Sequence, residues 1–309
     1  MDKRTLTGLG TALITPFQAD GSVDYKSLEQ LLDKQLEGYV DYIVVLGTTG
    51  EAATLSAEEK KEVRHFIVNY IHTHPTSPLE EGPGEVLPLV LGVGGNNTAA
   101  VCSELQTLRE ELTEDYAAIL SVCPYYNKPS QEGLYQHFCA VAEASPIPVI
   151  LYNVPGRTGV NLLPETVMRI YDARPDKIIG IKEASGNVEQ IKDLICKKSK
   201  VESQKQFLVI SGDDGIACEL MEAGADGLIS VASNAFAHDF YRIVHQKDSR
   251  MQARYEEMIR LLFAEGNPSG IKTVLAAQGI IENILRLPLV SNSKGIQEKI
   301  RNELAELGR

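Results

Sequence analysis

Apolar runs of five to nine residues alternate with helical patterns along most of this chain, and that alternation repeats eight times. The runs are Leu9–Phe17, Tyr42–Thr48, Leu87–Val93, Ala117–Cys123, Pro148–Asn153, Ile178–Lys182, Phe207–Ser211 and Gly227–Val231. Runs this short and this continuously apolar suit strands buried on both faces, as in an all-parallel sheet. The segments between them carry helix signals. Leu28, Leu31, Leu32 and Leu36 follow helical spacing, with Gly38 as the stop. Ser56 and Glu59 make a capping box for a helix to about Ile71, and Pro164 opens another at its first turn.

Eight strand–helix units predict an α/β chain closed as a (β/α)8 TIM barrel. An open doubly wound sheet is the alternative, but its phosphate fingerprint is missing. Leu91–Asn96 reads L-G-V-G-G-N, only a fragment of that motif. From Phe236 onward only helical patterns appear, so residues 1–235 are expected to form the barrel and 236–309 a C-terminal helical appendage. His72–Pro88, with four prolines, reads as a surface loop rather than a linker, because the alternation resumes after it.

Composition narrows the partners. The net charge of −12 argues against nucleic acid and anionic membranes, and no apolar run has the length of a membrane span. The start M-D-K-R-T-L-T-G lacks the apolar stretch of a signal peptide. Five cysteines without C-x-x-C spacing read as buried free thiols in a reducing cytoplasm. His72 and His74 lie two apart in the loop, but no carboxylate or cysteine framework accompanies them as metal ligands.

In such a barrel, chemistry gathers at the C-terminal strand ends. The sixth run ends in Lys182, where burial would lower an amine pKa from about 10.4 and free it to attack a carbonyl. The alternative is a lysine that reaches water or pairs with Glu183. The second run ends in Gly47-Thr48-Thr49-Gly50-Glu51, whose hydroxyls and N–H groups suit a small carboxylate or make an ordinary tight turn. The fourth ends in Pro124-Tyr125-Tyr126-Asn127, where paired tyrosines are commonly packing. The fifth ends in Tyr152-Asn153-Val154-Pro155-Gly156-Arg157, a phenol able to relay protons and a guanidinium able to clamp a carboxylate. A structural tyrosine and a surface arginine would read the same way. Together, and with no nucleophilic serine motif or metal cluster, they favour amine chemistry on a keto acid.

G-T-T-G-E, P-Y-Y-N-K-P, L-Y-N-V-P-G-R-T-G, I-K-E-A-S-G-N and S-G-D-D, in this order, resemble the dihydrodipicolinate synthase family. These are lysine-dependent class I aldolases grouped with N-acetylneuraminate lyase. The resemblance implies that Lys182 forms an imine with pyruvate and that Tyr152 moves the protons. Thr48 would link Tyr152 to a Tyr126 contributed by a neighbouring subunit. Thr49 and the backbone at Ile229 would hold pyruvate, and Arg157 the carboxylate of L-aspartate 4-semialdehyde. No metal or organic cofactor is implied, because the imine is itself the electron sink. A homotetramer built as a dimer of dimers is expected. Neuraminate lyases usually carry serine at the position of Thr48 and lack the arginine, so Arg157 favours the synthase. A related aldolase on a sugar-derived keto acid, or a non-catalytic relative, remains as the alternative; the latter would be expected to lack Lys182 or Tyr152. Feedback-sensitive relatives hold lysine with histidines and a glutamate where this chain has Ala57, Lys60 and Ala100, while Asn96 and Tyr125 are kept. Weak or absent inhibition by lysine follows.

Overall fold

A computed structural model describes residues 6–74, 86–199 and 207–309. Eight strands are present: β1 (Gly8–Ala12), β2 (Tyr42–Val45), β3 (Leu89–Gly92), β4 (Ala118–Val122), β5 (Val149–Asn153), β6 (Ile178–Glu183), β7 (Leu208–Ser211) and β8 (Gly227–Ser230). They follow chain order around a closed barrel. The ladder of β1 with β2 and those running from β3 through β8 are all parallel. All residues of β1, β2, β5, β7 and β8 are buried, which is why the sequence shows solid apolar runs instead of alternation.

The chain divides into two compact units, Met1–Gly8 with Pro88–Ile229, and Leu9–Leu87 with Ser230–Arg309. In the first unit β3 to β8 run side by side. Their register pairs Val122 with Tyr152, Tyr152 with Lys182, and Lys182 with Ile210. Helices Gln131–Ala144, Pro164–Ala173 and Val188–Lys198 start on Ser130, on proline at the first turn, and on Asn187. Each buries an apolar stripe, such as Val167, Ile170 and Tyr171 of the second.

The second unit pairs β1 with β2 and carries the C-terminal helices. Its helix Tyr25–Glu37 ends at Gly38, whose φ is −85°, so left-handed freedom does not explain that glycine. Close approach does: a Cβ there would lie 2.2 Å from the Cβ of Ala237. The capping box of Ser56 and Glu59 forms as the sequence indicates. Its helix runs on to Thr73, so His72 is helical rather than in a loop, and the His74 ring stacks on Tyr70 with centroids 4.1 Å apart. Residues 75–85 of the expected 72–88 loop lie outside the described residues.

The helix after β8 begins at Ser233 and breaks at Phe236 (φ −133°, ψ 41°). Asn234 explains the early start. Its amide donates to Ala12 O at 2.8 Å and accepts from Ile14 N at 3.1 Å, satisfying backbone at the last residue of β1 and just past it. Of the five free cysteines, Cys123 and Cys218 are buried, Cys102 and Cys139 are half-buried and Cys196 is exposed. The expectation of five buried thiols is therefore corrected: Cys196 sits near the exposed C-terminal end of helix Val188–Lys198. No helix among the described residues is long and apolar enough to cross a membrane.

Candidate active site

The period-two alternation of a strand decides where the end of β6 points its side chains. Lys182 and Glu183 are neighbours in sequence and therefore face opposite sides of the sheet. The alternative, a Lys182 that reaches water or pairs with Glu183, is not what forms. Lys182 is buried, 7% exposed, with its Nζ 4.5 Å from the centroid of the Tyr152 ring. Tyr152 is its register partner on β5 and is itself 7% exposed. An amine and a phenol-bearing ring thus share one buried spot at adjoining strand ends.

Gly212, just past β7, makes room for the lysine. A Cβ at that position would lie 2.8 Å from Lys182 Cε and 2.6 Å from the Cβ of Ala184. The S-G-D-D motif therefore has a steric reason at its glycine. The backbone there is also tied to β6, because Gly212 N donates to Glu183 O at 2.8 Å.

Glu183, fully buried, organises the other face. Its Oε2 accepts from Asn153 Nδ2 and from Gln190 Nε2, each at 2.9 Å, and its Oε1 accepts from Ser185 N at 2.8 Å. Asn153 also donates to Asn161 Oδ1 at 2.8 Å, and Asn161 donates to Gln190 Oε1 at 2.8 Å. Asn153 Oδ1 accepts from Leu162 N at 2.9 Å. The network holds both ends of the segment that carries Arg157, a side chain displayed on the short exposed turn Pro155–Thr158. Burial, and then the charge of Glu183, push the Cys123 thiol up, out of reach of ionisation at neutral pH.

Tyr126 is 87% exposed and held at φ +74°, an uncommon conformation for a bulky residue. Its N–H donates to Thr158 O at 3.3 Å, joining the fourth-strand loop to the arginine turn. Ile229, 1% exposed, lies near the end of β8.

In the second unit, Thr48–Gly50 form a 3-10 turn after β2, and Glu51 closes it in the left-handed region at φ +52°. Thr48 is exposed and Thr49 is buried. Thr15 Oγ1 donates to Gly50 O at 2.7 Å, and Asn267 Nδ2 donates to Thr49 Oγ1 at 2.9 Å. Glu51 pairs with Lys272, both side chains being fully buried. Burial outweighs the pull of Glu51 and brings the Lys272 pKa down to about 8.

Sequence reading missed Gly212, Asn153, Glu183, Gln190, Asn267 and Lys272 as parts of these arrangements. Gly212, Asn153 and Glu183 lay inside the motifs that carry the family resemblance, and nothing local distinguished Gln190, Asn267 or Lys272. Among the described residues no group of three or more His, Cys, Asp or Glu is placed to hold a metal ion.

Comparison with known proteins gives a consistent picture. A family model described as the dihydrodipicolinate synthetase family matches residues 5–307. A 4-hydroxy-tetrahydrodipicolinate synthase of Parabacteroides distasonis is 47% identical over 310 residues, covering 98% of this chain and 97% of its own. The chloride-inhibited dihydrodipicolinate synthase of Acinetobacter baumannii, solved with pyruvate, superposes with a TM-score of 0.88 at 37% identity, covering 98% of this chain and 99% of its own. The dihydrodipicolinate synthase of Thermotoga maritima superposes with a TM-score of 0.88 at 35% identity, covering 98% of each chain.

Proposed function

The chain belongs to the dihydrodipicolinate synthetase family, and we propose that it is a 4-hydroxy-tetrahydrodipicolinate synthase. In this reading it condenses pyruvate with L-aspartate 4-semialdehyde, a step of diaminopimelate and lysine biosynthesis. The observation that carries the reading is the buried Lys182–Tyr152 pair on adjacent strand ends.

The free amine of Lys182 adds to the keto carbon of pyruvate, and loss of water leaves an imine. The protonated imine draws electrons from the methyl carbon, which gives up a proton and becomes an enamine nucleophile. Tyr152, beside the amine, serves as the proton donor and acceptor for these steps. The enamine carbon attacks the semialdehyde carbonyl, forming the carbon–carbon bond. The substrate amine then attacks the imine carbon, closes the ring and releases Lys182.

Arg157, on an exposed turn braced through Asn153 and Asn161, suits a bidentate grip on the semialdehyde carboxylate. By the family pattern, Thr49 and the Ile229 backbone hold pyruvate, and Thr48 and Tyr126 belong to the proton relay. The exposure and fixed backbone of Tyr126 support a part played in a neighbouring subunit, within a homotetramer made as a dimer of dimers. Five free thiols suit a reducing compartment, so the cytoplasm is the proposed location.

Borohydride reduction in the presence of pyruvate, followed by peptide mass spectrometry, tests the assignment. The adduct is expected on Lys182, with product formed from pyruvate and semialdehyde in a coupled assay. A label on another lysine, or turnover of N-acetylneuraminate in place of the condensation, would overturn it.

A further inference from the structure

Resting on the pyruvate reading above, we infer that Asn267, far along the C-terminal segment, is a positioning residue that sets the direction in which the Thr49 hydroxyl donates. Thr49, Gly50 and Glu51 are each held by a different partner. Thr15 takes the carbonyl of Gly50, Lys272 takes the carboxylate of Glu51, and Asn267 takes the hydroxyl of Thr49. Thr49 is 3% exposed and Asn267 is 7% exposed, so solvent cannot substitute for the bond between them.

A hydroxyl has one proton and two lone pairs. Asn267 Nδ2 donates to Thr49 Oγ1 and occupies a lone pair. The hydroxyl proton is then kept for another acceptor, and a pyruvate carboxylate is such an acceptor. A hydrogen bond from a neutral donor to a charged carboxylate is stronger than one between neutral groups, so its orientation matters. Lys272 supports the arrangement from the same C-terminal segment. Its Nζ pairs with Glu51 and donates to Ile284 O at 3.1 Å, fixing the residue that closes the turn.

An aspartate in place of Asn267 has the same shape but only accepts when ionised. It would draw the Thr49 proton toward itself and place a negative charge near the bound carboxylate. An alanine would merely leave the hydroxyl undirected. The expected ranking of pyruvate affinity is therefore Asn267, then Ala, then Asp.

The experiment is steady-state kinetics of Asn267→Ala, Asn267→Asp, Thr49→Val and the Asn267→Ala/Thr49→Val double variant, with borohydride trapping over a pyruvate titration. Asn267→Ala is expected to raise the pyruvate KM about 10-fold, with the semialdehyde KM and kcat within about 2-fold. Asn267→Asp is expected to raise it by on the order of 100-fold. In the Thr49→Val background, Asn267→Ala should add nothing. Equal changes in both KM values, additive effects of the two substitutions, or an unimpaired Asn267→Asp would each overturn the inference. Should Asn267→Asp not fold, the alanine and valine cycle decides alone. Failure of pyruvate to trap on the unsubstituted protein would defeat the functional reading itself, and the inference with it. Normal trapping with an unaffected Asn267→Ala defeats only the role given to Asn267.

Discussion

Tyr152 and Lys182 are register partners on adjacent parallel strands, and the lysine Nζ stands 4.5 Å from the centre of the tyrosine ring. The ladder itself sets this relationship. Neither side chain depends on a flexible loop for its placement, so the amine and the phenol to which we assign the chemistry are both carried on strands of the barrel.

Gly212 should tolerate no side chain. In Gly212→Ala the new methyl meets Lys182 Cε and Ala184, and the amine must move aside. Overpacking is expected to cost about 1–3 kcal/mol of stability. On the role proposed for Lys182, displacement of its amine by about 1 Å is expected to lower kcat by roughly 100-fold. Trapping rates with pyruvate, compared with a urea melt of the same variant, measure both. Wild-type trapping would show that the glycine serves the backbone alone.

Arg157→Ala should separate the two substrates. The semialdehyde KM is expected to rise by about 100-fold, the worth of a charge-assisted bidentate contact, while pyruvate still traps on Lys182. Lys at this position should recover little, because a point charge does not reproduce the planar fork. Parallel loss of pyruvate trapping would move Arg157 from the second substrate to the first.

Lys272 predicts a pH signature of folding. Its pKa lies near 8 in the folded chain, below its ordinary 10.5. Between those values the folded chain carries fewer protons at this site than the unfolded chain, so stability gains as pH rises through that window. Lys272→Met should remove that gain, seen as a flatter dependence of Tm between pH 8 and 9.5. Ending there avoids ionisation of tyrosines such as Tyr25, whose pKa burial and Glu62 raise to about 12. The single variant also leaves Glu51 buried and unpaired, at a cost of about 3–5 kcal/mol. Glu51→Gln/Lys272→Met should recover part of that loss.

L-Lysine should inhibit weakly or not at all. Ala57 and Ala100 are exposed residues in the first turns of their helices, and each presents only a methyl group. Neither can accept a hydrogen bond from an ammonium group, and Lys60 adds a like charge in the first helix. Activity titrated with L-lysine at subsaturating pyruvate checks this. Strong inhibition at submillimolar lysine would mean that other groups form the regulatory cleft.

The barrel was legible because strands buried on both faces have almost nothing but apolar residues, and eight such runs recur between capped helices. Lys182 and Tyr152 were legible for a related reason, as polar residues ending apolar runs. Glu183 was not, since adjacency in sequence suggests a partner for Lys182 while the pleat sends it to the opposite face. Gly38 was found but for the wrong cause, because close approach to Ala237 leaves no local mark. Cys196 looked like its buried counterparts because a thiol carries little sign of its exposure. Asn267 was invisible for the strongest reason: its partner Thr49 is 218 residues away.

That separation has a temporal meaning. The threonine turn is synthesised first, and Asn267 follows 218 residues later, with Lys272 just behind it. At about 5–20 residues per second, the turn waits roughly 10–40 s on the ribosome for the side chains that complete it. During that interval the Glu51 carboxylate has no Lys272 to meet, so it favours staying hydrated. A nascent chain therefore carries the Thr49–Glu51 turn unfinished until residues more than 200 positions downstream have emerged to complete it.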